Sequence, residues 1–294
     1  MLLLPKAVIA TFADILGAAG VLGAAPADAP TPALSQEQIK DLIRRTAEND
    51  IQNDKKLRDY TYVERQETRK LNGKGEVKST ETETSDVMEI YGEPVQKLVA
   101  KNDKPLSDKD ARKEDEKIQK IIDKRKNESD SDREKRLKKE EKDHEDEREF
   151  VREIADAYNF TYVGMEKLDG RDNYVITGEP KPGYKPQHRD ANILTKTRFR
   201  AWIDKDDVQM KKVDVEFTDT FTWGLFIARL HKGSRAVIEN TRVNDEVWLQ
   251  QHVAVKLDAR VALLKDFAME VDVSDRDYKK FRTETKIVPV ADNK

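Results

Sequence analysis

The sequence predicts an α+β fold in which a large curved antiparallel sheet of about 10–11 strands is interrupted by a pair of highly charged helices. Two observations predict it. Apolar and polar residues alternate repeatedly between residues 199 and 273, which is the pattern of strands that bury one face. Residues 107–149 carry 32 charged side chains among 43 residues, a composition typical of a solvated helical arm.

The charge is unevenly distributed along the chain. Of the 294 residues, 38% are charged and 37% are hydrophobic, whereas an average globular domain is about 25% charged. Because the charged arm holds much of the excess, the rest of the chain is polar enough to be soluble and apolar enough to bury a core.

The N-terminus predicts export. Residues 7–25 form a long apolar stretch that is followed by small residues, a layout typical of a secretory signal peptide. We expect cleavage near Ala27, which gives a signal peptide of 1–27 and a single exported domain of 28–294 in the periplasm. A retained membrane anchor is the alternative, although Asp14 disfavours it because a spanning helix needs about 20 residues without charge.

The first elements of the domain are a helix and three strands. The Ser-x-x-Gln capping box that begins at Ser35 is followed by apolar residues at helical spacing, which predicts a helix of about 20 residues. From Tyr60 the pattern changes to alternation, and the turn residues at 72–75 predict a hairpin. A return strand at 76–91 and a third strand at 95–100 follow.

The charged arm divides into two predicted helices. Cap residues at Ser107 and Ser131 place them at about 108–127 and 132–158, within an insertion of about 105–158. Acid-first pairs four residues apart stabilise such helices by about 0.2–0.5 kcal/mol each, which supports helicity but does not fix the arm in place. Its apolar stripe appears only in the last turns, so a solvated arm and a docking arm for a partner both stay open.

Strand signals return after the arm. Residues 160–163 and 174–177 flank a turn, and the proline-rich loop at 180–186 is incompatible with a central strand. About six further strands with short turns complete a curved meander.

This sheet is larger than the helices available to cover it, which favours a residual apolar cavity. The alternative is that its aromatic side chains simply fill the core. The candidate cavity residues are Tyr62, Val215, Phe217, Phe221, Trp223, Leu225 and Ile227.

For most classes of catalytic chemistry, the sequence contains no recognisable motif. With no cysteine there is no disulfide, thiol nucleophile or cysteine-ligated metal. The four histidines do not lie at metal-ligand spacing, and neither a nucleophile elbow nor a phosphate-binding loop is present. We therefore predict no catalytic residue, metal site or cofactor. A net charge of −3 with interleaved signs argues against nucleic acid as the main partner, and we expect a monomer.

Several segments of the chain resemble a known family. They are Phe199-Arg200-Ala201-Trp202-Ile203-Asp204, Val213-Asp214-Val215-Glu216, Tyr60-Thr61-Tyr62-Val63-Glu64-Arg65, the proline loop 180–186, Val247-Trp248-Leu249 and Tyr278-Lys279-Lys280-Phe281. With the signal peptide and leading helix, they make residues 35–290 resemble the outer-membrane lipoprotein-sorting, LolA/LolB-like proteins, and in particular exported bacterial proteins of that class. The resemblance implies an incomplete β-barrel with a helical lid over a hydrophobic cavity that receives lipid chains. The charged arm is an addition to that pattern.

These patterns together predict a periplasmic, non-enzymatic binding or carrier protein for a hydrophobic ligand, either a lipid or a lipoprotein acyl chain. The alternative is an envelope scaffold that docks a partner protein through residues 107–149. A third and weaker hypothesis is a hydrolase that acts on an envelope polymer.

Overall fold

The computed structural model describes residues 34–91, 93–187, 190–223, 228–261 and 265–281, and the predicted signal peptide lies outside these ranges. The described helices are α1 (Gln36–Leu57), α2 (Asp108–Lys126), α3 (Asp130–Ala157) and a 3-10 helix (Asp190–Lys196). The described strands are β1 (Tyr60–Leu71), β2 (Val77–Ile90), β3 (Glu93–Lys101), β4 (Lys104–Pro105), β5 (Tyr158–Leu168), β6 (Arg171–Pro180), β7 (Thr197–Asp204), β8 (Gln209–Phe217), β9 (Phe221–Trp223), β10 (Ala228–Leu230), β11 (Arg235–Val243), β12 (Val247–Val261) and β13 (Lys265–Lys280). Among the described helices, none has the length and apolar character needed to cross a membrane.

All of these strands belong to one antiparallel sheet. Its order is β4-β3-β2-β1-β13-β12-β11-β8-β7-β6-β5, while β10 pairs with the far end of β12 and with β9. The end strands β4 and β5 do not pair with each other, so the sheet is not closed into a barrel. The predicted fold class is confirmed. The sheet has 13 strands rather than 10–11 because it includes three very short ones, β4, β9 and β10.

The first helix lies on the sheet through one apolar face. Ser35 Oγ accepts a hydrogen bond from the backbone N of Gln38 (3.2 Å), and Gln38 Oε1 accepts one from the backbone N of Ser35 (2.8 Å), which is the predicted capping box. The buried residues Ile39, Leu42 and Ile43 recur at helical spacing and join the core formed with β5, β8 and β12. The apolar stripe therefore determines where α1 sits.

The C-terminal half of α1 is tied to the turn between β7 and β8. Val208 in this turn has a φ of 53°, a conformation that is strained for a β-branched residue. Asn49 Nδ2 donates to the carbonyl oxygen of Val208 (2.9 Å), and Asn53 Nδ2 donates to Oε1 of Gln209 (2.7 Å). These contacts hold the strained turn against the helix.

The charged arm joins the two unpaired ends of the sheet. The chain leaves β4, runs through α2 and α3, and enters β5 directly. α2 lies beside β3, where the Glu114 carboxylate accepts a hydrogen bond from the backbone N of Leu98 (3.4 Å) and Lys97 pairs with Asp115 (2.5 Å). Glu114 thereby caps an N–H group of β3 beyond the two residues that pair with the short β4, a group that would otherwise be open to another chain.

The bounds of both arm helices lie within two residues of the prediction. α3 starts two residues early because Ser129 caps it through the backbone N of Asp132 (3.2 Å), so the predicted cap at Ser131 is wrong. α2 buries no residue, whereas the last turns of α3 bury Val151, Ile154, Ala155 and Ala157.

The two faces of the sheet have opposite character. We call the face under α1 the helix face and the other the outer face. On the helix face, one row of register partners is Val213, Ile238, Val253 and Val273, all buried. On the outer face, a neighbouring row is Lys212, Glu239, His252 and Ser274. The alternation in the sequence therefore separates a core from a charged surface.

Gly178 on β6 shows how tightly the helix face is packed. Its register partner is Phe199 on β7, and a Cβ atom at Gly178 would overlap the Phe199 ring. The ring in turn contacts Tyr158, with the ring centroids 4.9 Å apart. A larger residue at Gly178 would force this ring to move, because the ring occupies the space above the glycine.

Candidate functional site

Three of the predicted cavity residues lie together where β8 ends and β9 begins. Phe217 is buried in the core, and its ring centroid is 6.5 Å from that of Phe221. Val215 is the register partner of Phe199. Val215, Phe199 and Phe221 are only partly buried and pack against the core. We call these four side chains the apolar patch.

The other predicted cavity residues do not belong to the apolar patch. The Tyr62 ring lies 4.9 Å from the Tyr278 ring, and Tyr278 belongs to a second, smaller apolar cluster. Trp223 ends β9, and its backbone pairs with Ala228 of β10. Leu225 and Ile227 lie outside the described residues. Ligand contact by any of the seven residues remains a prediction.

The helices cover the helix face unevenly. α1 lies over β5, β8 and β12, the 3-10 helix lies beside β6 and β7, and the end of α3 contacts α1 and the 3-10 helix. Apolar side chains remain half-buried beside this cover, and they include Tyr162, Tyr174, Phe199, Val215 and Phe221. An apolar ligand that lies over them would continue the core.

A second candidate site is a polar cleft of about 450 Å³. Its lining includes Asp169, Lys211, Lys212, Glu239, His252, Ser274 and Asp275. This cleft was not predicted from the sequence. Its signal is a charged or polar residue on each of four successive strands of the sheet, and that signal can be interpreted only once the register is known.

His252 is held between two carboxylates in the cleft. Its Nε2 lies 2.7 Å from Asp272 Oδ2, and its Nδ1 lies 3.7 Å from Glu239 Oε2. Hydrogen bonds to Asp272 and Glu239 raise the pKa of His252 to about 9. The same contacts lower the pKa of Asp272, and His252 together with Lys212 lowers the pKa of Glu239 to about 2. The imidazole is therefore a cation at neutral pH.

This geometry argues against nucleophilic catalysis in the cleft. Ser274 is the register partner of His252, which places a serine, a histidine and an aspartate on neighbouring strands. A catalytic histidine needs one ring nitrogen free to take the proton of the serine hydroxyl. Because both nitrogens of His252 face carboxylates, the ring is an ion-pair partner rather than a base.

Across the described ranges, no group of three or more His, Asp or Glu side chains is arranged to hold a metal ion. Arg171 instead occupies the acidic turn after β7, where its Nε lies 2.5 Å from the buried Asp204 and its Nη2 lies 3.1 Å from Asp207. An arginine thus supplies the positive charge at this turn.

Several solved structures are similar to this chain at low identity. A DUF1329 family protein from Desulfovibrio piger is 13% identical over 85% of this chain and 93% of that chain, with a TM-score of 0.30. A domain described as an outer membrane lipoprotein-sorting protein from Vibrio parahaemolyticus is 12% identical over 83% and 95%, with a TM-score of 0.34. A LolA superfamily protein from Nitrosomonas europaea is 8% identical over 83% and 93%, with a TM-score of 0.29.

These similar structures include the class of protein that the sequence resembles. No protein-family model and no curated protein matches the chain.

Proposed function

We propose that this protein is a non-enzymatic binding protein of the cell envelope that holds a hydrophobic ligand, either a lipid or a lipoprotein acyl chain, on the helix face of its sheet. The observation that carries the proposal is the apolar patch, whose half-buried side chains Phe199, Val215 and Phe221 continue a well-packed core. An acyl chain lying over them would remove apolar surface from water, at about 25 cal/mol per Å².

The open sheet supports this proposal. β4 and β5 do not pair, and the arm connects these two ends of the sheet. In this proposal a ligand enters between the two ends without unfolding of the sheet. In this proposal the protein acts as a monomer in the periplasm, and Tyr62, Trp223, Leu225 and Ile227 extend the contact beyond the apolar patch.

Ligand content tests the proposal directly. The full chain, purified from a bacterium with two membranes, is examined by native mass spectrometry and by lipid extraction. We expect bound lipid or acyl species at a stoichiometric level. Val215→Glu should remove them, because a carboxylate in the apolar patch would have to lose its hydration.

A matched control lies on the neighbouring strand. Val237 is also half-buried, but its register partners Asp214 and Ala254 place it on the outer face. Val237→Glu should leave the lipid content unchanged. A wild-type protein that is free of lipid, or equal lipid in both variants, would contradict the proposal.

The alternative function is a scaffold that docks a partner protein through residues 107–149. The exposure of the arm favours it, since Lys135 and Lys138 each expose 75% of their side chains and α2 buries no residue. Charge reversal by K135E/K138E/K139E should abolish co-purification of envelope proteins without lowering the melting temperature. The matched control reverses the exposed Lys70, Lys74 and Lys78 of the β1–β2 hairpin, and an equal loss in both variants counts against docking by the arm.

A further inference from the structure

The junction between β1 and β13 carries two pairs of opposed carboxyl groups. Glu67 is the register partner of Asp272 on the outer face, and Glu64 is the register partner of Asp275 on the helix face. Directly opposed residues on antiparallel strands have Cβ atoms about 4.5–5.5 Å apart, so two like charges in these positions destabilise the pairing. Each pair therefore needs either cations or a proton.

Cations compensate the pair on the outer face, Glu67 and Asp272, which we call the outer pair. Arg69 Nε lies 2.7 Å from Glu67, Arg65 Nη2 lies 3.3 Å from Glu67, and His252 contacts Asp272 at 2.7 Å. The hydrogen bond to His252, assisted by both arginines, lowers the pKa of Asp272. The outer pair can hold two negative charges at neutral pH.

The pair on the helix face, Glu64 and Asp275, which we call the inner pair, has a different environment. Asp275 is only 5% exposed. Its Oδ2 accepts a hydrogen bond from Gln250 Nε2 (2.7 Å), and its Oδ1 is buried without a hydrogen-bond partner among the described residues. Glu64 Oε1 accepts one hydrogen bond, from Gln96 Nε2 (2.9 Å).

The titratable groups that act on this pair add no positive charge. They are Tyr62 on β1, Tyr278 on β13 and, acting on Tyr62, Asp54 of α1. The basic residues that line the cleft with Asp275 are paired with other carboxylates: Arg276 with Asp277 (2.7 Å), Lys211 with Asp169 (2.6 Å), Lys212 with Glu239 (2.6 Å) and His252 with Asp272 (2.7 Å). In the part of the chain that the structure describes, no lysine, arginine or histidine forms an ion pair with Glu64 or Asp275.

The β1–β13 ladder is also interrupted beside the inner pair. The register shifts between Thr61 and Val63, and Asp277 on the partner strand has a φ of 57°. A bulge of this kind leaves a residue unpaired and disturbs the local hydrogen bonds. The weak point of the junction therefore coincides with its uncompensated carboxyl groups.

We propose that the junction between β1 and β13 is a proton-dependent latch, in which a proton held by the inner pair keeps β1–β4 in register with the meander β5–β13, and its release opens the junction. Because β4 leads directly into α2, the latch also determines whether the start of the charged arm is held in place.

The direction of the pH effect follows from burial. Burial, followed by the charge of Glu64, raises the pKa of Asp275 to about 8, and burial raises the pKa of Glu64. In an opened junction the carboxyl returns to its ordinary pKa near 4 and releases its proton at neutral pH. The equilibrium constant for opening should therefore rise about tenfold per pH unit between about pH 5 and pH 8.

Amide hydrogen exchange of the full chain tests the latch. Protection factors are measured for residues 60–66 and 274–280 from about pH 5.5 to pH 7.5, each rate being divided by the random-coil rate at the same pH. The wild type should lose about tenfold of its protection per pH unit. Glu64→Gln combined with Asp275→Asn should abolish this slope, because amides stay neutral.

Glu67→Gln is the matched control, since it removes a carboxylate from the same junction on the compensated face, and it should retain the slope. Asp275→Asn alone, which resembles the protonated acid, decides the question if the double variant does not fold. Three results would overturn the latch: protection in the wild type that is independent of pH, a slope that survives in Asp275→Asn, or a slope that calcium or sodium chloride removes. The last result would indicate a cation site instead.

Discussion

The helix α1 and the arm formed by α2 and α3 begin in the same way but are held differently. Ser35, Ser107 and Ser129 each accept a hydrogen bond from the backbone N three residues later, at 3.2 Å in every case. α1 then buries Ile39 and Ile43 against the sheet, whereas α2 buries no residue. Local capping therefore starts both structures, and the apolar stripe alone decides which of them joins the core.

The free energies of these interactions explain why α1 is fixed on the sheet and most of the arm is not. In the arm, Lys135–Asp132 (3.5 Å) and Lys138–Glu134 (2.7 Å) are exposed ion pairs, and each contributes little because solvent screens the charges. Burial of one isoleucine side chain contributes about 1.5–3 kcal/mol. Charge can thus make a helix without fixing its position, while a few aliphatic residues do both.

The largest expected effect comes from truncating the apolar stripe. Ile43 is 2% exposed, so Ile43→Ala should reduce the free energy of unfolding by about 2–5 kcal/mol through lost burial and a new cavity. Leu137→Ala, in the arm at 49% exposure, should change it by about 0.5 kcal/mol or less. Chemical denaturation of both variants measures the two values. Equal losses would mean that the arm is part of the core.

Much of the fold could be predicted from the sequence because its signals are local. The capping box at Ser35, the hairpin turn at 72–75 and both arm helices depend on residues close together in the chain, and each lies where it was expected. The cap at Ser131 was misplaced because Ser129 and Ser131 offer the same chemistry two residues apart. The three additional short strands were missed because two or three residues carry no periodicity.

The candidate sites were harder to predict because they depend on register. Tyr62 and Phe217 both occur in alternating strands, yet they belong to separate clusters of side chains. Glu64 and Asp275 face each other from opposite ends of the chain. A shift of one residue in either strand would place each side chain on the other face, and composition alone does not determine that shift.

The titration of His252 tests the same comparison between the sheet and the arm. Its expected effect on stability is smaller than that of Ile43→Ala. Its partners hold the pKa of His252 near 9, above its usual value of about 6.5. The resulting stabilisation is complete below about pH 6.5 and is lost as the pH rises toward 9. Thermal unfolding should therefore show a falling melting temperature across this window, and His252→Gln should reduce the fall.

The charge-reversed arm K135E/K138E/K139E is the control for that measurement. Despite the 32 charges in residues 107–149, it should retain the pH dependence of the wild type, because exposed charges have similar surroundings in the folded and unfolded states. If the arm variant flattened the curve and His252→Gln did not, the source of the pH dependence would lie in the arm.

The smallest expected effect compares two identical caps. Ser35→Ala should lower the free energy of unfolding by about 1 kcal/mol, because the first turn of α1 leads directly into the buried Ile39. Ser129→Ala removes the same hydrogen bond from α3, but the first turns of α3 are exposed. There the lost free energy should appear as local fraying, which hydrogen exchange at residues 130–134 would detect while the global unfolding midpoint stays constant. If both substitutions shifted the midpoint equally, folding of the arm would be coupled to the sheet along its whole length, and the apolar stripe would no longer account for the difference between the two helices.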